Sequence, residues 1–104
     1  MTEFTKVTKT DDIEPGKVKV YEVASKKIAI CNVDGTFYAI DDICTHDGGP
    51  LDQGELLDGQ IECPRHGALF DVKTGRALTL PAVAPVKSYA VQVDGGDIKV
   101  EVDG

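Results

Sequence analysis

The sequence predicts an all-β protein that carries a metal centre on turns. Three observations predict it. Apolar residues alternate with polar ones in short runs, as in Tyr89, Val91 and Val93, then Ile98, Val100 and Val102. Turn signals, Asp34-Gly35 and Asp94-Gly95-Gly96-Asp97, separate such runs. Between about residues 41 and 80 the chain becomes rich in Asp and Gly, and both histidines and two of the three cysteines gather there in two short segments.

The only helical signal lies at Thr8 to Glu14, where Thr8 or Thr10 caps a single turn ahead of Pro15-Gly16. Val18 and Val20, then Tyr21 and Val23, alternate with a slip of one, which reads as a strand with a β-bulge. Ile28-Ala29-Ile30-Cys31 is a continuous apolar run, a strand buried on both faces, and Cys31 within it reads as a packed core thiol. Asp34-Gly35 turns that strand into Thr36-Phe37-Tyr38-Ala39-Ile40. In Leu80-Pro81-Ala82-Val83-Ala84-Pro85 the two prolines stiffen the chain and keep it out of a central strand. The final runs form a second hairpin. The expected organisation is one domain over 1–104: a base of about 1–40 and 81–104, in which the chain ends pair, and an inserted subdomain of about 41–80.

The chain has 104 residues, with 11 Lys plus Arg against 18 Asp plus Glu, a formal charge of −7. That length suits one compact domain with a modest core, of the kind often stapled by metal or covalent links. The acidic balance argues against nucleic acid or an anionic membrane as the main partner, since both require a basic patch. It favours a basic protein partner. No signal peptide and no apolar run of membrane-spanning length is present, so the expected location is the cytoplasm.

Cys44 and His46 form Cys-x-His, Cys63 and His66 form Cys-x-x-His, and sixteen residues separate the pairs. An odd cysteine count in a cytosolic chain speaks against a disulfide framework. Two thiolates and two imidazoles can hold zinc or an iron–sulfur centre. Zinc sites usually pair Cys with Cys and His with His, whereas here each segment offers one of each. That mixture lets the two cysteines take one iron and the two histidines another, the ligand set of a Rieske [2Fe–2S] centre.

The paired motif, with Pro64 and Gly67 in Cys63-Pro64-x-His66-Gly67, resembles the signature of Rieske proteins, and the chain length resembles that of the small Rieske-type ferredoxins serving bacterial ring-hydroxylating oxygenases. The resemblance implies an antiparallel β-sandwich or partial-barrel base with an inserted cluster-binding subdomain. It implies a [2Fe–2S] cluster with Cys44 and Cys63 on one iron and His46 and His66 on the outer iron. Its partners would be a flavoprotein reductase and a terminal oxygenase, met transiently by a monomer, and residues 80–85 would match the proline loop covering the cluster. In respiratory Rieske proteins a disulfide ties the two loops, from positions matching Gly49 and Arg65, and serine and tyrosine hydroxyls face the cluster, at positions matching Ala68 and Phe70. None of these four residues supplies the corresponding group here. Fewer hydrogen bonds to the sulfurs imply a potential near the low end of the Rieske range, about −150 mV.

Other functions fit less well. A stand-alone oxygenase needs a second iron held by two histidines and a carboxylate, and both histidines are already used. No spare histidine remains to activate a nucleophile, and no phosphate-binding glycine loop occurs. The rival reading is a non-catalytic module: a small Rieske-like subunit of a nitrite reductase or other oxidoreductase complex, or a zinc-stapled adaptor.

Overall fold

The computed structural model describes residues 4–43, 51, 54–63, 67–79 and 84–101. In chain order its strands are β1 (Phe4–Lys9), β2 (Val18–Val23), β3 (Lys26–Val33), β4 (Thr36–Asp41), β5 (Leu56–Leu57), β6 (Gln60–Glu62), β7 (Leu69–Asp71), β8 (Ser88–Tyr89), β9 (Val91–Asp94) and β10 (Asp97–Glu101). The one helical element among the described residues is a 3₁₀ turn at Thr10–Asp12, and no helix there is long and apolar enough to cross a membrane. The all-β class expected from the sequence is the class that forms.

The capping of the 3₁₀ turn corrects the expectation. Thr8 lies in β1, and neither it nor Thr10 caps the turn from its own side chain. Asp12 instead reaches back, accepting the Thr8 hydroxyl and, at 3.2 Å, the Lys9 backbone N–H. Those two hydrogen bonds, the Thr8 one dominant, hold the Asp12 carboxyl below its ordinary range.

Among the described residues three antiparallel sheets form, ordered β2-β3-β4-β8, β1-β10-β9 and β5-β6-β7. The first lies between two apolar cores. Ile28 and Ile30 pack with Phe37, Ala39, Tyr89, Ile98 and Val100 in one core. Ala29, Cys31 and Ile40 pack with Leu51, Ile61, Cys63, Ala68, Phe70 and Val86 in the other. This explains why the 28–31 run is apolar without alternation: both faces are covered.

The same arrangement overturns the expected bulge in β2. That strand pairs with β3 in unbroken register from Val18↔Cys31 to Val23↔Lys26. Val18 and Val20 pack against the core containing Cys63, whereas Tyr21 and Val23 belong to the opposite core. The slip in alternation marks a change of buried face along a regular strand. The register shift falls instead in the pairing of β1 with β10, between Lys6 and Thr8.

Both expected hairpins are present. Val33 pairs with Thr36 around Asp34-Gly35, and Asp94 pairs with Asp97 around Gly95-Gly96. Asp34 and Gly35 have φ of 51° and 91°, the left-handed pair that a two-residue turn requires. Tyr89 and Val91 pack in one core with exposed Ala90 between them, but the strand pairing changes at Ala90. Tyr89 belongs to β8 and pairs with Ala39 in the first sheet, while β9 joins β10. The chain thus steps from one sheet to the next at that residue.

Candidate metal centre

Of the four predicted ligands, Cys63 lies among the described residues; Cys44, His46 and His66 fall outside them, as do residues 80–83 of the proline segment. What the structure shows is where the three segments carrying those residues leave and re-enter the fold.

The segment bearing Cys44 and His46 leaves after β4 at Asp42 and Ile43 and returns at Leu51. Asp42 Oδ1 accepts the Leu51 backbone N–H at 2.9 Å, and the Asp42 N–H donates to the Lys27 carbonyl at 3.0 Å. The segment bearing His66 is closed, among the described residues, by backbone hydrogen bonds. The Cys63 N–H donates to the Ala68 carbonyl at 2.7 Å, and the Gly67 N–H donates to the Cys63 carbonyl at 2.9 Å. Gly67 adopts φ of 72°, which a side chain would strain. The proline segment leaves from Thr79, whose hydroxyl accepts the Leu69 N–H at 2.9 Å, and returns at Val86, whose N–H donates to the Gly75 carbonyl at 2.7 Å.

These roots meet. Leu51, Cys63, Ala68 and Val86 are all buried in one apolar core together with Phe70 and Val72. Cys63 is 1% exposed and free of any disulfide. A buried, unbridged thiol at the meeting point of three loop roots fits a thiolate-bound iron–sulfur group. Ala68 and Phe70, both fully buried beside it, offer no hydroxyl.

The third cysteine, Cys31, has no exposed surface and sits in the same core. Burial, reinforced by the Asp42 carboxylate, pushes its thiol up to about 12. This is the packed thiol expected from the sequence.

Small sheet β5-β6-β7 supports the second segment, and sequence reasoning missed it. Leu57 pairs with Gln60 around Asp58-Gly59, with φ of 52° and 77°. The Asp-Gly signal is the one that marks the 34–35 turn, but the strands flanking it are two and three residues long. Gly54 was missed too. A β-carbon there would lie 1.6 Å from the Glu62 carbonyl oxygen, so the chain before β5 crosses directly over the end of β6.

Charge near the roots is mixed. Glu55, Asp58 and Glu62 are exposed on and around the β5–β6 hairpin. Beside Ile43, a cleft of about 560 Å³ is lined by Lys26, Lys27 and Lys87 with Asp41, Asp42 and Tyr89. The Lys26 and Lys87 ammonium groups stand 5.9 and 5.1 Å from the Tyr89 ring centroid, and the Tyr89 hydroxyl donates to Asp41. Asp47 and Asp52, also acidic in the sequence, lie outside the described residues.

Residues 3–90 match the family described as the Rieske [2Fe-2S] domain. The chain is 38% identical over 101 residues to the ferredoxin component of biphenyl 2,3-dioxygenase from Rhodococcus jostii (strain RHA1), covering 97% of this chain and 94% of that one. The solved ferredoxin of carbazole 1,9a-dioxygenase from Nocardioides aromaticivorans IC177 superposes with a TM-score of 0.90 at 35% identity, covering 93% of this chain and 95% of that one. A chain from the complex of reduced oxygenase and oxidized ferredoxin in carbazole 1,9a-dioxygenase superposes with a TM-score of 0.88 at 34% identity, covering 94% and 92%.

Proposed function

The chain belongs to the Rieske [2Fe–2S] domain family, and we propose that it is a one-electron carrier passing electrons from a flavoprotein reductase to the terminal oxygenase of a ring-hydroxylating dioxygenase system. Supporting this reading is similarity, along nearly the whole chain, to proteins that are themselves ferredoxin components of such systems. The carrying observation in the fold is the meeting of three loop roots in the core at Cys63.

The residues that would hold the cluster are Cys44, His46, Cys63 and His66, two thiolates and two imidazoles. When bound, such a centre takes up and returns one electron at a time. Cys63 brings its thiol to a position shielded from water. Backbone bonds tie Cys63 to Gly67 and Ala68, the residues that follow His66 in sequence. Ala68 and Phe70 keep hydroxyl donors away, which leaves the reduced state less stabilised and the potential low. In this reading the base comprises about 1–40 and 81–104, the cluster-binding subdomain about 41–80, and the carrier works as a cytoplasmic monomer.

The test is direct. Purified holoprotein is expected to contain iron and acid-labile sulfide, to give a Rieske-type spin-resonance signal after reduction, and to titrate near about −150 mV. Its reduced form should be reoxidised by a terminal oxygenase. A colourless, zinc-containing protein would instead support the adaptor reading, and a clearly positive midpoint would remove the low-potential expectation.

A further inference from the structure

The two ligand-bearing segments are closed by different means. Among the described residues, backbone bonds close the one after Cys63, at 2.7 and 2.9 Å. The one before Leu51 is closed by a side chain, Asp42 Oδ1 on the Leu51 N–H at 2.9 Å across nine residues. Asp42 is itself anchored through its own N–H on the Lys27 carbonyl at 3.0 Å. Leu51 has no exposed surface and shares a core with Cys63. The carboxylate therefore ties the returning end of the first segment to the core that holds a ligand of the second. Its charge is also felt inside that core, at the Cys31 thiol.

We propose that Asp42 is a positioning residue for the cluster: its carboxylate latches the Cys44–His46 segment through Leu51, and its negative charge lowers the reduction potential. This rests on the [2Fe–2S] reading above. A hydrogen bond to a charged acceptor stabilises more than a neutral one, so its removal should be visible in cluster retention. A fixed anion near the site disfavours the added electron, so its neutralisation should be visible in the midpoint.

Asp42→Asn keeps an oxygen acceptor and loses the charge, whereas Asp42→Ala loses both. Cluster release from holoprotein into an iron chelator, followed by visible absorbance, and a potentiometric titration separate the two roles. We expect D42N, which keeps a weaker neutral acceptor, to release its cluster at a rate between those of the wild type and D42A and to have a more positive midpoint. We expect D42A to release about tenfold faster. The proposal is overturned by D42A releasing at the wild-type rate, by D42N releasing as fast as D42A, or by a D42N midpoint that is unchanged or more negative. Should D42A take up no cluster, D42N carries the test: loaded and slow to release, it supports the latch, and unloaded, it overturns it. Wild-type protein without acid-labile sulfide would remove the cluster reading, and the latch with it, so the two failures are distinct.

Discussion

Cys31 and Cys63 share one apolar core and are both buried, yet only Cys63 belongs to a ligand motif. The sequence sets the two apart, because Cys31 stands inside an apolar strand run while Cys63 stands three residues from a histidine. The latch at Asp42 was not legible, since nothing in the chain before folding says that position 42 meets position 51. For Cys31 the consequence is a pH dependence whose sign can be worked out. Its thiol keeps its proton to about 12 in the fold, against an ordinary 9.0. Below pH 9 both states hold the proton and stability is unaffected. From there upward the unfolded chain releases the proton first, so stability falls as pH rises, by up to about 1.4 kcal/mol per unit. Urea unfolding at about pH 8 and about pH 10.5 should show the wild type losing about 2 kcal/mol more than Cys31→Ala over that interval. Equal losses in the two proteins would mean that the thiol ionises freely in the fold.

At the scale of elements, legibility followed turn chemistry. The hairpins around Asp34-Gly35 and Gly95-Gly96 announce themselves through residues that accept positive φ. The β2–β3 hairpin does not, because its two turn residues are Ala24 and Ser25, held at φ of 51° and 66°. That conformation is costly for both, by about 1 kcal/mol each. Replacing the pair by Asn-Gly should raise stability by about 1 kcal/mol, read as a higher urea midpoint with an unchanged slope. Gly75 and Gly16 give the opposite experiment. Both have φ of 81°, but a β-carbon at Gly16 meets nothing within 4 Å, while one at Gly75 would lie 1.9 Å from the Val86 carbonyl oxygen. Gly16→Ala should cost about 1–2 kcal/mol from the backbone alone. Gly75→Ala should cost about 1–3 kcal/mol more, because it forces apart the strut that receives the proline segment. Equal losses for the two variants would show that Gly75 is needed for its φ and not for close approach.

Across the whole molecule, the β2-β3-β4-β8 sheet separates two cores, and the chain assigns them different work. One core joins the sheet to β1, β9 and β10, the paired ends of the chain; the other holds the roots of the segments that carry the proposed ligands. This division was only partly legible, since the slip of alternation in β2 that records it reads equally well as a bulge. The surface beside the second core bears exposed Glu55, Asp58 and Glu62, with Glu62 immediately before Cys63, on a chain of charge −7. Such a surface attracts a basic partner over distances comparable to the Debye length, about 30 Å at 0.01 M salt and about 10 Å at 0.1 M. Steering acts on encounter and not on the step after docking. The second-order rate of electron transfer to the oxygenase should therefore fall by about tenfold or more between about 0.01 M and about 0.5 M salt, while the limiting first-order rate at saturation stays constant. Neutralising Glu55 and Glu62 together with Gln should lower the second-order rate at low salt and flatten its salt slope. Stopped-flow mixing of reduced protein with oxygenase across ionic strength measures both. A second-order rate independent of salt in the wild type would show that docking is governed by apolar contact instead of charge.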